Sequence, residues 1–109
     1  MIKLIEKKCE TKKYTDAVCS AFNLYRINGG DETSNSCVKD VERVIKLVEE
    51  NKLYCGEPAK KNIFLFHFLE NSSIEEVARK TNFSRSYLYS VKKEMLKELA
   101  MMMFGVLII

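Results

Sequence analysis

The side chains best suited to bind a ligand lie in one basic segment of the chain, residues 79–93. This segment holds five Lys or Arg residues and no Asp or Glu. Its main donors are Arg85, Ser86, Tyr87, Tyr89, Ser90, Lys92 and Lys93. Such groups match the phosphate oxygens of nucleic acid, which repel carboxylates, and the acceptor atoms on the edges of its bases. The segment therefore indicates a nucleic-acid surface, and the alternative is a solvated helix face whose lysines serve solubility.

Two helices, a short one followed by a long one, are predicted to position this segment. Ser73 followed by Glu76 is a capping box that opens the first helix. The small side chain of Ala78 lets a second helix cross close to the first. Asn82 is expected to end the first helix in the left-handed backbone conformation, and Ser84 to cap the second helix. Together, these features predict a helix-turn-helix.

A helix-turn-helix places the N-terminal turn of its second helix in the major groove of double-stranded DNA. In the helix that starts at Ser84, Arg85 and Ser86 are therefore predicted to reach base edges first, and Ser90 one turn later. Phosphate contacts are predicted for Tyr87, Tyr89, Lys92, Lys93, Lys60 and Lys61. Phosphate contacts fix the position of the protein on DNA, whereas base contacts read the sequence.

A resemblance to a known family lies in the same part of the chain. Residues 61–105, with S-R-S-Y-L-Y-S-V-K-K-E-M-L-K-E-L-A at their centre, look like small phage late-transcription regulators of the ArpU and RinA type. The C-terminal helix-turn-helix of those regulators is similar to region 4 of sigma-70 factors. The resemblance implies DNA binding and transcription regulation, with RNA polymerase as a further partner.

The composition predicts an all-α fold. The chain has 109 residues, 47% of them hydrophobic, with one Pro and four Gly. So few turn-forming residues favour helices joined by short connections. Together with the motif, this predicts a small helical bundle with a C-terminal helix-turn-helix and a long final helix. Residues 1–58 balance ten basic against ten acidic side chains and are assigned to packing or oligomerisation. Residues 59–109 carry eight against five and are assigned to DNA binding.

Three helices are predicted before the motif. The first runs from Thr15 or Asp16 to about Ile27, with Thr15 as its N-cap and Asn28, Gly29 and Gly30 ending it. The second runs from Cys37 to about Asn51 and the third from Ala59 to Glu70, with a polar loop over 29–36. Residues 1–13 fit either a frayed helix or an extended arm.

Cysteine and charge patterns exclude several classes of site. Cys9, Cys19, Cys37 and Cys55 are 10, 18 and 18 residues apart, without the close pair that a zinc site usually takes from one turn. We expect reduced thiols, no metal, no cofactor and a cytoplasmic protein. The apolar run 99–109 has eleven residues, well short of the roughly 20 that span a bilayer, so it is expected to bury against protein.

No set of residues predicts an enzyme. His67 lies between two phenylalanines and fits a core or boundary position. Adjacent pairs such as Glu49 with Glu50 point about 100 degrees apart on a helix and cannot flank one bond. The alternatives to a regulator are a helical protein-interaction module and a DNA-targeting subunit of a phage DNA-processing complex.

The length of the final helix raises the question of assembly. Apolar residues continue to about Phe104 in two stripes, and the second stripe with the tail is more than the motif itself can cover. We expect a homodimer through the C-terminal helix and tail. The alternative is packing of this surface against the first two helices of the same chain.

Overall fold

The computed structural model describes residues 3–28 and 36–109 and has the predicted all-α architecture. In chain order its elements are strand β1 (Lys3–Ile5), helices α1 (Lys8–Asn28), α2 (Ser36–Glu49) and α3 (Pro58–Asn62), a π-helix (Ile63–Leu69), helices α4 (Ile74–Lys80) and α5 (Arg85–Phe104), and strand β2 (Val106–Ile108). One hydrophobic cluster joins residues from both the 1–58 and the 59–109 regions.

Helix α1 begins earlier than predicted. It starts at Lys8, so residues 1–13 contribute both a strand and a helical turn. Thr15 is not its N-cap, because its hydroxyl donates to the Lys12 carbonyl at 3.2 Å within the helix. Bonding back to the preceding turn is the usual behaviour of threonine inside a helix. The predicted end at Gly29 and Gly30, and the loop over 29–35, lie outside the described residues.

The second helix is confirmed and the third is altered. Helix α2 buries Val38, Val41, Val44 and Val48, at the helical spacing of its sequence. Instead of continuing as an α-helix from Pro58, the chain widens into the π-helix at Ile63. In this segment Phe64 and Phe68 both pack on Phe22, with ring centroids 5.8 and 5.1 Å away.

The two caps of the predicted motif are confirmed, and the predicted turn residue is wrong. The Ser73 hydroxyl accepts from the Glu76 amide at 3.1 Å, and the Ser84 hydroxyl from the Tyr87 amide at 3.2 Å. Asn82 does not take the left-handed conformation. Helix α4 ends at Thr81 instead, because this extended residue bonds through its hydroxyl to the Val77 carbonyl at 2.8 Å. A threonine side chain thus closes the turn in place of a left-handed residue.

The long helix α5 packs within its own chain. Its N-terminal half buries Leu88 and Val91 near α4, and its C-terminal half buries Met95, Leu99 and Met103. Helices α1 and α2 contact α5, so the second apolar stripe is covered by the first two helices, as the alternative to a dimer requires.

The tail after α5 forms a strand that was not predicted. Gly105 ends α5 with φ 66°, a conformation that glycine adopts without strain. Strand β2 then pairs in parallel with β1, and the Lys3 amide donates to the Gly105 carbonyl at 3.1 Å. Ile5, Val106 and Ile108 face the core. The tail therefore buries one of its faces against protein, as expected.

Candidate nucleic-acid interface

The start of α5 is a projecting, donor-rich surface. Val77 of α4 and Leu88 of α5 are fully buried and hold the two helices together. Arg85, Ser86 and Ser90, which are predicted to face the major groove of DNA, are all exposed. The Ser84 hydroxyl accepts a hydrogen bond from the Tyr87 amide as the N-cap of α5. This bond positions the first turn of the helix. The fold thus presents the first two turns of α5 to solvent with no carboxylate of α5 among them.

Polar residues repeat along the outer face of α5. Ser86, Ser90, Lys93 and Lys97 are spaced by four, three and four residues, so they share one side of the helix. Lys93 is exposed and Lys97 is partly exposed. Lys97 was missed by the sequence prediction, although continuing the same spacing past Lys93 identifies it.

The aromatic residues Tyr87 and Tyr89 lie on opposite sides of this face. Tyr87 is 50% exposed and packs against Phe83, with ring centroids 5.6 Å apart. Tyr89 is 46% exposed, and its hydroxyl donates to Glu75 of α4 at 2.8 Å. That hydrogen bond lowers the pKa of Glu75 and raises the pKa of Tyr89. Glu75 thereby orients the Tyr89 ring beside Arg85, whose charge also lowers the Glu75 pKa.

Lys60 is bound by carboxylates and differs from the other predicted phosphate contacts. Its side chain is 12% exposed and its ammonium lies 2.8 Å from Glu98, 3.5 Å from Glu57 and 3.7 Å from Glu94. Burial lowers the pKa of Lys60, but the hydrogen bond to Glu98 and the three negative charges outweigh this and raise it. A phosphate would have to compete with three carboxylates, so we leave Lys60 out of the proposed interface. Lys61 is exposed.

Lys92 lies on the side of α5 that faces α1 and the π-helix. Its side chain is half-buried near Cys19 and His67, and Arg26 of α1 lies in the same region. The surroundings of α5 therefore differ in charge on its two sides. Lys92 and the neighbouring Arg26 of α1 lie on one side, and the carboxylates around Lys60 lie on the other.

His67 is held neutral in this basic region. Its Nδ1 lies 2.8 Å from the Ser72 carbonyl, which can only accept, so Nδ1 carries the proton. Burial lowers the pKa of His67 most strongly, the bond to Ser72 opposes that effect, and the charges of Lys92 and Arg26 lower the pKa further. The structure therefore places this histidine at a partly buried boundary position.

A pH dependence of stability follows from His67. Its pKa is below the usual 6.5 in the folded state, so the unfolded chain takes up the proton first as the pH falls. We expect the free energy of unfolding to decrease from pH 7 to pH 5.5, a range in which carboxylates stay ionised. Urea denaturation at both pH values checks this, and His67→Gln should flatten the difference. An equal decrease in the variant would assign it to another group.

The described residues also bear on metal binding, membrane spanning and cysteine pairing. Within residues 3–28 and 36–109, no three His, Cys, Asp or Glu side chains are placed to hold a metal ion. The same part of the chain contains no helix both long and apolar enough to cross a membrane. Cys9, Cys19 and Cys55 are free and exposed, and the side chain of Cys37 lies outside the described part.

Comparison with known proteins adds no relative. Neither a family model, nor a curated protein, nor a solved structure matches this chain. The fold and the surface define a small helical protein with two capped, contacting helices and an exposed donor-rich helix start.

Proposed function

We propose that this protein is a sequence-specific, double-stranded DNA-binding transcription regulator, and not an enzyme, that reads the major groove with the start of α5. The observation that carries the proposal is the exposed N-terminal part of α5, which presents Arg85, Ser86, Ser90 and Lys93 without an acidic residue of that helix. Arg85 is expected to make a bidentate contact with a guanine. Lys93, Lys61 and Tyr87 flank it as contacts to phosphates, whereas the Tyr89 hydroxyl is bound to Glu75.

Selection of bound duplexes from a random DNA pool tests this proposal. A regulator of this kind enriches one short sequence, and the same selection with Arg85→Ala loses preference at a base pair within it. A pool that remains random after repeated rounds would contradict sequence-specific binding. It would favour the alternative, a helical protein-interaction module, for which the balanced charge of residues 1–58 is the supporting observation.

Lys93→Ala is expected to weaken binding to all duplexes about equally. Lys93 is exposed on the outer face of α5, where its flexible ammonium suits a phosphate better than a base edge. Loss of one phosphate contact reduces the slope of log affinity against log salt by about one. Titrations at several salt concentrations measure the slope, and Lys39→Ala on exposed α2 surface serves as the matched control. A change in the preferred sequence would contradict this assignment of the helix faces.

RNA polymerase is the second partner that we propose, on the resemblance of residues 61–105 to phage regulators with a sigma-70 region 4-like motif. The alternative that also involves DNA binding is a DNA-targeting subunit of a phage DNA-processing complex. Co-purification of RNA polymerase with the tagged full-length chain, together with activity at a promoter that carries the selected sequence, separates the two.

A homodimer is a further part of the proposal, because two-fold operators are common for helix-turn-helix proteins. The apolar face of α5 is largely packed within the chain, which leaves the tail as the available surface. Leu4 and Leu107 are 50 and 46% exposed on the two-stranded sheet, and Ile109, which follows strand β2, is 69% exposed. Sedimentation equilibrium at micromolar concentration distinguishes a dimer from a monomer of 12.6 kDa.

A further inference from the structure

A groove lies on the acidic flank of α5. It encloses about 390 Å³ between residues 56–60 and the helix. One wall is made by Phe83, Tyr87 and Val91, and the opposite wall by Pro58 and Ala59. Glu57, Lys60, Ser90 and Glu94 complete the lining. The groove thus combines two aromatic rings with charged groups, at a volume that suits a small molecule.

The charges of this groove are not balanced. Glu57 and Glu94 line the groove together with Lys60, and Glu98 lies behind the lining at 2.8 Å from the same ammonium, so two net negative charges surround Lys60 at neutral pH. Lys60 makes a short hydrogen bond to Glu98 alone, and the oxygens of Glu57 and Glu94 lie 3.5 and 3.7 Å from it. These two carboxylates are 51 and 64% exposed, so they retain free acceptor capacity.

Two buried polar atoms lie beneath the same charges without a partner. Among the described residues, neither the Tyr54 hydroxyl nor Oε1 of Glu98 makes a hydrogen bond. Tyr54 is 3% exposed, and the Lys60 ammonium lies 6.0 Å from its ring centroid. Burial, and then the charges of Glu98 and Glu57, raise the pKa of Tyr54, so its hydroxyl stays protonated near the carboxylates. Neither Tyr54 nor Glu98 lines the groove itself, so these two atoms belong to the buried layer behind Lys60 and do not face a ligand.

We propose that this groove binds a small organic cation, a protonated amine attached to a flat apolar body. Glu57 and Glu94 attract the ammonium group, and the rings of Phe83 and Tyr87 attract both the cation and its apolar part. An inorganic metal ion fits less well, because the Lys60 ammonium already occupies the centre of the three carboxylates. Inside the groove, the net negative charge opposes the binding of a free phosphate or carboxylate ligand.

Such a ligand contacts two residues of the DNA-reading helix. Tyr87 and Ser90 line the groove and also belong to the predicted DNA interface. The added positive charge favours DNA, but the apolar body of the ligand covers Tyr87 and Ser90, and we expect this steric overlap to dominate and to lower DNA affinity. This coupling rests on the proposed DNA-binding function, whereas binding of the cation to the groove does not.

Nuclear magnetic resonance titration of the full-length protein tests the site without DNA. The probe is 2-phenylethylammonium, and the matched probes are 2-phenylethanol and phenylacetate. We expect saturable shifts of the backbone amides of Gly56, Glu57, Tyr87 and Glu94 with the ammonium probe, about fivefold weaker binding of the alcohol and no saturation with phenylacetate. Equal binding of all three probes, no saturable shifts, or shifts scattered over the protein would overturn the proposal.

Substitutions locate the ammonium group. Glu57→Gln and Glu94→Gln are each expected to weaken the ammonium probe about threefold to fivefold, because each removes one exposed charge pair. Glu42→Gln, on the exposed face of α2, is the matched control and should leave the affinity unchanged. Unchanged affinity in both groove variants would overturn the proposal. If the probe binds as expected but DNA affinity is unaltered at saturation, the coupling fails and the groove site stands.

Discussion

Leu88→Ala is expected to lower the free energy of unfolding by about 3 kcal/mol, within the usual 2 to 5 kcal/mol for a buried leucine. Leu88 is fully buried in α5 near its contact with α4, so its removal leaves a cavity under the helix-turn-helix. A domain of this size has about 5 to 15 kcal/mol of stability in total. The variant should therefore lose a large fraction of it.

Urea denaturation of the wild type and the variant measures this loss. Ser90→Ala is the matched control, because Ser90 is exposed two residues further along the same helix. Its effect is expected to stay within about 0.5 kcal/mol. A cost below about 1 kcal/mol for Leu88→Ala would show that α5 does not pack on α4 as described.

Arg85→Ala is expected to weaken binding to the selected DNA sequence by about 1 to 3 kcal/mol, equivalent to roughly 5-fold to 150-fold in affinity. The loss is large because a guanidinium donates two parallel hydrogen bonds to one guanine. Affinity for unrelated duplexes should fall much less, since those complexes depend on phosphates.

Arg85→Lys separates the charge from the paired hydrogen bonds. It keeps the positive charge but has no planar fork, so it should retain nonspecific binding and lose most of the sequence preference. Competition titrations with matched and mismatched duplexes measure both quantities. Full retention of preference in Arg85→Lys would remove Arg85 from the set of base-reading residues.

Local sequence signals were sufficient for much of the helical structure. The serine caps at Ser73 and Ser84 were predictable because each is satisfied by an amide three residues later. The residue that ends α4 was not predictable, because Asn82 and Thr81 are both suitable turn residues. Only the structure shows that Thr81 ends the helix, through the hydrogen bond from its hydroxyl to the Val77 carbonyl. Strand pairing between β1 and β2 joins the two ends of the chain, and three-residue strands carry too little periodicity to predict.

The same limit applies to the candidate interface. Exposure of Arg85, Ser86 and Lys93 could be predicted from helical spacing within one segment. The carboxylates that alter the roles of two residues come from elsewhere in the chain. Glu98 is 38 residues from Lys60, and Glu75 is 14 residues from Tyr89. Such pairings depend on how helices pack, so sequence alone left Lys60 among the phosphate contacts.

The most direct test of DNA binding is a fluorescence anisotropy titration of the full-length protein with a labelled duplex at 50 and 200 mM salt. At least three phosphate contacts give a slope of about −2.7 in log affinity against log salt, or roughly 40-fold weaker binding at the higher salt. The proposed function predicts that loss together with tighter binding of the selected sequence at both concentrations. Absence of binding at 50 mM salt, or an affinity independent of salt, would contradict the proposal that α5 docks on DNA.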